Sequence, residues 1–142
     1  MSSTVEETLV LIKPDGVARS LTGEILRRIE AKGYQLVDVR LLQAERDLLA
    51  RHYAEHEGKP FYEPLVEFME SGPIVAMRVA GNRVIEGFRM LAGTTDPTTA
   101  APGTIRGDLG RDWGLPVQQN LVHGSDSAES AARELALWFP QH

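Results

Sequence analysis

The sequence contains no cysteine, no long apolar segment and no excess of basic residues. Without cysteine the chain cannot form disulfides, bind a metal through thiolates or use a cysteine nucleophile, and its composition suits a reducing compartment. Its apolar runs, such as Leu9 to Ile12, are far shorter than the roughly 20 residues that span a bilayer, so no membrane partner is expected. The segment MSSTVEET at the start is polar and acidic, unlike a signal peptide. These absences predict a cytoplasmic protein.

The charge balance is acidic, with 15 Lys and Arg against 20 Asp and Glu, a net charge of −5 and a pI near 5.4. General nucleic-acid binding needs a surplus of basic residues, so no specific nucleic acid is expected as a partner and any basic site must be local. The 142 residues are 42% hydrophobic and 25% charged, which is close to the soluble globular average. We expect residues 1–142 to form a single domain.

Three common functional motifs are missing. Neither the P-loop pattern GxxxxGK[ST] nor the dinucleotide pattern GxGxxG occurs, and the segment HYAEH does not fit the metalloprotease pattern HExxH. His52 and His56 lie four residues apart on a predicted helix, a spacing compatible with a metal site. We interpret them as surface or packing residues, with metal-dependent phosphate hydrolysis as an alternative function.

Hydrophobic periodicity predicts an α/β chain. Short apolar segments predict strands over residues 8–12, 36–42, 74–80 and 119–122. Helical spacing predicts helices over residues 22–32, 45–57, 61–70, 84–91 and 127–138. Thr22 and Asn82 are the predicted N-caps of two of these helices, and Val37, Val39 and Leu41 are predicted to form one strongly apolar strand face. The alternation favours one α/β domain with helices packed on a small sheet.

Residues 93–118 contain several prolines and glycines without any period. So long an irregular segment in a small domain is usually functional, and we expect it to belong to the site.

His123 lies between a predicted strand and the Gly-Ser-Asp-Ser segment that opens the last helix. A capping box of Asp126 and Glu129 would explain this segment without any function. The free N–H groups of a helix N-terminus also attract anions, so a phosphate could bind beside His123. A neutral imidazole has one nitrogen free to attack phosphorus, and Glu134 could reach the other nitrogen only if its side chain folded back along the helix.

Phosphoryl transfer also needs cations around the phosphate oxygens. Lys13 follows the first predicted strand, Arg89 precedes the irregular segment, Arg106 lies within it, and Thr95 could add a hydroxyl. Each residue alone reads as a solvated surface group, but their common place at element ends beside the segment supports a phosphate site.

Five segments together resemble the nucleoside diphosphate kinase family over essentially the whole chain: IKPDG, HYAEHEGKPF, SGPIVAM, APGTIRGD and NLVHGSDS. The last segment is similar to the family's active-site signature NxxHGSDS. The resemblance implies a ferredoxin-like α/β sandwich, in which a four-stranded antiparallel sheet with βαββαβ order carries added helices. It also implies γ-phosphate exchange between nucleoside triphosphates and diphosphates, such as ATP and GDP, through a phosphohistidine.

By this resemblance, His123 corresponds to the family's nucleophile, which attacks through Nδ1, and Glu134 to the carboxylate that orients it. Phe61 is similar to the ring on which the base lies, and Val117 to a contact on the base's other face. Lys13 belongs with the catalytic group as well as with the nucleotide contacts. The implied phosphate and ribose contacts are Lys13, Tyr53, Arg89, Thr95, Arg106 and Asn120.

The resemblance further implies Mg²⁺ as cofactor, carried by the nucleotide, with Asp126 as a water-mediated contact and Ser125 as a supporting residue. It implies a homo-oligomer, either a tetramer or a hexamer. One segment departs from the family pattern, because LGRDWGLPVQQ between Asp108 and Asn120 is a few residues longer. An idle nucleotide-binding or partner-binding module is the principal alternative, and the intact His123, Lys13 and Arg106 weigh against it.

Overall fold

Four strands form one antiparallel sheet in the computed structural model, which describes residues 5–141. The strands are β1 (Val5–Ile12), β2 (Gln35–Leu42), β3 (Ile74–Asn82) and β4 (Val122–Gly124), in the spatial order β2-β3-β1-β4. The first half of the predicted polar N-terminal segment, residues 1–4, lies outside the described residues, as does residue 142.

The helices are α1 (Pro14–Ala18), α2 (Thr22–Ala31), α3 (Arg46–His52), α4 (Tyr62–Glu70), α5 (Val84–Ala92), α6 (Ile105–Leu109) and α7 (Ala128–Trp138), with a 3₁₀ turn at Ala54–His56. The order β1-α2-β2-β3-α5-β4 is the βαββαβ core of the ferredoxin-like sandwich, which confirms the predicted fold; α3, α4 and α7 are added to it. Among residues 5–141, none of these helices has the length and apolar character needed to cross a membrane.

Two hydrophobic cores cover the two faces of the sheet. Val10 and Ile12 of β1 pack in one core with α2 and α5, whereas Leu9 and Leu11 pack in the other with α3, α4 and α7. Successive strand residues point to opposite faces, so a strand covered on both sides must be apolar throughout. Complete burial of each such side chain stabilises the fold by about 1.5 to 3 kcal/mol. The uninterrupted apolar run of β1 is therefore explained by its central position in the sheet, where both faces are covered.

The predicted apolar face of β2 is wrong as a core face. Val37, Val39 and Leu41 are 40%, 43% and 69% exposed, and β2 is an edge strand of the sheet. Val39 and Leu41 lie opposite Met77 and Val75 of β3, so the sheet surface on this side continues from the core into an exposed apolar strip.

Several predicted boundaries also need correction. The helix predicted over 45–57 ends at His52 and continues only as a 3₁₀ turn. The turn predicted after β1 is the short helix α1, the irregular segment 93–118 contains α6, and β4 begins later than predicted and includes His123 itself.

Three predicted N-caps are wrong. Leu21 and Arg83 occupy the N-cap positions before α2 and α5, in place of Thr22 and Asn82. Ser127, not Asp126, caps α7, and its hydroxyl accepts a hydrogen bond from the Ser130 amide at 3.0 Å.

Candidate active site

His123 lies in the middle of β4, opposite Leu11 of β1, and its side chain is 21% exposed. Its Nε2 is 2.8 Å from Oε1 of Glu134 on α7. Glu134 occupies an inward-facing, buried position of the helix. The side chain of Glu134 therefore does reach the histidine, although the two residues are 11 apart in sequence.

The Glu134 carboxylate is buried and receives a second hydrogen bond, from Ser125 Oγ at 2.8 Å. Burial raises the pKa of Glu134, but the hydrogen bond from His123, the nearby His123 and His52 rings and the Ser125 hydroxyl together hold that pKa below its usual range. An ionised carboxylate can only accept hydrogen bonds. His123 must therefore donate from Nε2, and in its neutral form it carries its lone pair on Nδ1, which has no hydrogen-bond partner among residues 5–141.

The small residues after His123 are needed for packing. A Cβ atom on Gly124 would lie 2.6 Å from Cδ2 of Phe88, so only glycine lets β4 approach α5 this closely. Ser125 is completely buried and its Oγ accepts from the Leu9 amide at 3.3 Å while it donates to Glu134. The Gly-Ser pair therefore ties the histidine segment to the sheet.

Lys13 extends from the end of β1 as predicted, and its Nζ donates to Asn120 Oδ1 at 2.8 Å. Burial, followed by the nearby charge of Arg106, lowers the pKa of Lys13 to about 8. The Asn120 amide also donates to the Thr95 carbonyl at 3.1 Å. Lys13, Asn120 and the loop at Thr95 thus form one connected wall of the site.

Arg106 on α6 is held by three backbone carbonyls. Its guanidinium donates to the oxygens of Gly93, Asn120 and Val122 at 2.8, 3.0 and 2.6 Å. Burial, and then the charge of Arg89, lower the pKa of Arg106 to about 10, so it remains cationic at neutral pH. Arg106 therefore joins the irregular segment to β4, and two of its five N–H groups stay available to an anion.

Asp15 supports the site from a buried position without lining its cavity, and the sequence did not reveal this role. Its Oδ2 accepts from the Leu121 amide at 3.1 Å, and the Lys13 amide donates to the Leu121 carbonyl at 2.8 Å. Leu121 has a positive φ of 73°, which is uncommon for a branched side chain. These bonds hold the strained turn between Asn120 and His123. Burial raises the pKa of Asp15.

These groups surround a cavity of about 880 Å³. Its volume is within the range of sites for small molecules and cofactors. Most of the predicted site residues line it: Lys13, Tyr53, Arg89, Thr95, Arg106, Asn120, His123, Asp126 and Glu134. Arg89 and Thr95 are exposed, and burial raises the pKa of Tyr53 so that its phenol is neutral. The hydrogen bond from Ser130 lowers the pKa of Asp126, which is therefore a carboxylate.

Three predicted residues do not line the cavity. Ser125 lies beneath it and contacts Glu134. Phe61 is 49% exposed and reaches the cavity only through His56, whose ring centroid is 5.2 Å from that of Phe61. Val117 is half-buried in the long segment after α6, and the structure does not bring it to the cavity wall.

His52 is a packing residue, as interpreted from the sequence, but it packs at the site. It is 3% exposed and its ring centroid lies 4.8 Å from that of His123. His52, His123 and Glu134 have potential metal-ligating atoms within 4.8 Å of one another, and His56 is not part of this group. The predicted spacing of His52 and His56 therefore does not form a metal site among the described residues.

Comparison with known proteins assigns this arrangement to a family. The sequence model described as "Nucleoside diphosphate kinase" matches residues 6–142. The nucleoside diphosphate kinase of Saccharopolyspora erythraea is 61% identical over 137 residues, 96% of this chain and 98% of that protein. The enzyme of Mycobacterium avium is 63% identical over 136 residues, 95% and 97% of the two chains.

A solved structure agrees in fold as well as sequence. The halophilic nucleoside diphosphate kinase of Halobacterium salinarum, in complex with CDP, has a TM-score of 0.89 and 46% identity, covering 94% of this chain and 87% of that one. Enzymes of this kind act on nucleotides and need a divalent metal ion. The chain belongs to the nucleoside diphosphate kinase family and is a kinase that transfers phosphate between nucleotides.

Proposed function

We propose that His123 carries the transferred phosphoryl group in a ping-pong reaction. The observation that supports this most directly is the imidazole itself, whose Nε2 is bound to the buried Glu134 carboxylate while the ring lines a cavity that Lys13, Arg89 and Arg106 also line. One nitrogen is thereby oriented and the other left as a nucleophile among cations.

In the first half-reaction the Nδ1 lone pair of His123 forms a bond to the γ-phosphorus of a nucleoside triphosphate. The bond from that phosphorus to the bridging oxygen breaks, and the nucleoside diphosphate leaves with its electrons. The imidazole ring becomes positively charged, and the Glu134 carboxylate stabilises this charge through the Nε2–H bond. A second diphosphate then takes the phosphoryl group by the reverse steps.

The proposed nucleotide contacts follow the cavity wall. Arg89 and Arg106 would bind phosphate oxygens, the paired Lys13 and Asn120 would bind phosphate and ribose, and Tyr53 and Thr95 would add hydroxyl groups. Phe61 would carry the base, with Val117 on its other face. The CDP complex of the Halobacterium salinarum enzyme supports a bound nucleotide here, and we propose ATP and GDP among the substrates.

We propose Mg²⁺ as the divalent ion, bound mainly by the nucleotide phosphates. Magnesium prefers oxygen ligands and commonly uses one or two carboxylates together with substrate phosphates. Asp126 lines the cavity and is ionised, so it fits this role through water, whereas the histidine-containing group at Glu134 does not suit magnesium. The ion would neutralise phosphate charge; the protein residues hold the phosphate in line with His123.

Incubation with γ-labelled ATP tests the proposal. The wild-type protein should acquire an acid-labile, alkali-stable label that moves to added GDP, and His123→Ala should acquire none. Folding of the variant is checked by circular dichroism. Label on a folded His123→Ala protein, or transfer to water in place of GDP, would contradict the assignment.

We also propose that the chain forms a homo-oligomer, either a tetramer or a hexamer. The position of β2 at the edge of the sheet and the exposed Val39 and Leu41 support self-association. Light scattering over a concentration series should give a mass several times 15.7 kDa. Leu41→Glu should lower that mass if β2 is an interface, and an unchanged mass would locate the contact elsewhere.

We further propose that residues 1–142 act as a single kinase domain in the cytoplasm, which the lack of cysteine supports. Cell fractionation with antibody detection would test the location.

A further inference from the structure

The ring of His52 lies directly against the ring of His123. The two planes meet at 76° with their centroids 4.8 Å apart, so the contact is edge to face. His52 is the last residue of α3, is 3% exposed and lines the same cavity. The reaction proposed above assigns it no part.

Trp138 fixes the tautomer of His52. Its indole Nε1 is 3.0 Å from His52 Nδ1 in a buried contact. Since an indole N–H can only donate, His52 Nδ1 must be unprotonated and its hydrogen must lie on Nε2. Burial, and then the charge of His123, lower the pKa of His52 to about 3; Glu134 raises it and Arg133 and Lys13 lower it further. His52 is therefore neutral and held in one orientation.

The same hydrogen bond disfavours a metal at His52, His123 and Glu134. A metal on Nε2 of His52 would move the hydrogen to Nδ1, where it would face the Trp138 N–H at 3.0 Å. The group is better suited to packing than to metal binding.

One helix holds both histidines. Glu134 and Trp138 are four residues apart on the buried face of α7 and bind His123 and His52, respectively. Arg133 of the same helix donates to the carbonyl oxygens of Arg51 and His52 at 3.2 and 3.4 Å. The two rings are therefore fixed relative to each other by α7.

The contact between the His52 and His123 rings restricts the orientation of the His123 plane, which the hydrogen bond to Glu134 alone does not. A single hydrogen bond fixes the place of Nε2 but lets the imidazole rock about it, which would move Nδ1 away from the line of attack. A misplacement of about 1 Å can cost roughly a hundredfold in rate. We propose that His52 is a positioning residue, whose ring, held by Trp138, fixes the plane of His123 for phosphoryl transfer; this rests on the proposed role of His123.

Two matched variants distinguish the effect of the His52 ring from the effect of its hydrogen bond with Trp138. His52→Asn keeps an acceptor for Trp138 and removes the ring, whereas the double variant His52→Phe with Trp138→Phe keeps a ring beside His123 and removes both polar partners. With ATP and GDP as substrates, kcat of His52→Asn should fall about 10- to 100-fold with KM within about twofold. The double variant should lose clearly less activity than His52→Asn, because a ring still packs against His123.

Rapid-quench measurement of the labelled phosphoenzyme should show the same split, with slower formation in His52→Asn but full final labelling. Equal losses in both variants, a raised KM with unchanged kcat, or an unaffected His52→Asn would overturn the proposal. If His52→Asn does not fold, His52→Leu, which fills the space without a flat ring, replaces it, and a kcat within about threefold of wild type would refute the role of the ring. Labelling of His123→Ala would instead refute the proposed function.

Discussion

The two ends of the cavity differ in how firmly hydrogen bonds within the protein fix the side chains. At the phosphate end, His123, Glu134, Lys13 and Arg106 each have hydrogen-bond partners at 3.0 Å or less. Beyond the other end, past His56, Phe61 is 49% exposed. The difference indicates that the protein holds in place, before substrate binds, the side chains that face the phosphate. The phosphate is the group that all nucleotide substrates share. A half-exposed ring can stack on any base without reading its hydrogen-bonding edge, which fits the proposed use of both ATP and GDP.

The largest effect should come from removing charge at the phosphate end. Glu134→Gln keeps an oxygen for the Ser125 hydroxyl and removes the negative charge that faces His123. We expect kcat to fall about 100-fold or more, because the imidazole becomes positively charged as it takes the phosphoryl group. Steady-state kinetics with ATP and GDP measures it.

Ser125→Ala is the control for Glu134→Gln, since it removes a hydrogen bond to the same carboxylate and keeps the charge. Its kcat should fall clearly less. If the two variants lose activity equally, the negative charge of Glu134 contributes no more to the reaction than the hydrogen bond from Ser125.

Acid should lower the free energy of unfolding of the protein, because His52 at the phosphate end becomes protonated when the chain unfolds. Burial lowers the pKa of His52 to about 3, below the value near 6.5 in an unfolded chain. Between these values the unfolded chain binds more protons, so the free energy of unfolding falls as pH falls from 6.5. From pH 7 to pH 5 the loss should be about 2 kcal/mol.

Urea unfolding at both pH values measures this loss, and the double variant His52→Phe with Trp138→Phe is the control, because it has no group that titrates there. The control should lose about 2 kcal/mol less than wild type over the same range. Identical pH dependence in both proteins would show that His52 is not the acid-sensitive group.

The sequence indicated which residues lie near the cavity better than it indicated which partners those residues contact. Apolar periodicity located β1 and α7, and charged residues at element ends located Lys13 and Arg106. The three carbonyl partners of Arg106 could not be predicted, because a side chain's charge does not indicate which backbone oxygens the fold brings to it. His52 was missed as a neighbour of His123 for a similar reason, since α3 and β4 meet only through tertiary packing. The exposure of Leu41 depends on which strand lies at the sheet edge, which alternation does not reveal.

A smaller effect is expected at the base end. Phe61→Ala removes the proposed stacking surface, and stacking on an aromatic ring contributes about 1 to 3 kcal/mol per base. Because the ring is half-exposed, we expect the lower limit, a rise in KM of about fivefold, similar for ATP and GTP, with kcat nearly unchanged. Steady-state kinetics with ATP and with GTP as phosphate donor measures both constants. A large loss for one base alone would show that this end reads base identity.

The smallest effect should come from the long segment after α6. Trp113 lies between Arg19 and Arg111, whose guanidinium carbons are 5.4 and 4.5 Å from its ring centroid, and such exposed contacts contribute about 0.5 to 1 kcal/mol each. Trp113→Ala should therefore loosen the segment and speed its cleavage by trypsin at Arg111.

Asn120, where the segment rejoins the site, is held separately by Lys13, Thr95 and Arg106. We therefore expect kcat and KM of Trp113→Ala to change less than about twofold, since a contact of this strength does not reach the phosphate end. A larger change in kcat would show that the segment is coupled to Asn120, and the separation between a preorganised phosphate end and a tolerant periphery would no longer hold on this side of the cavity.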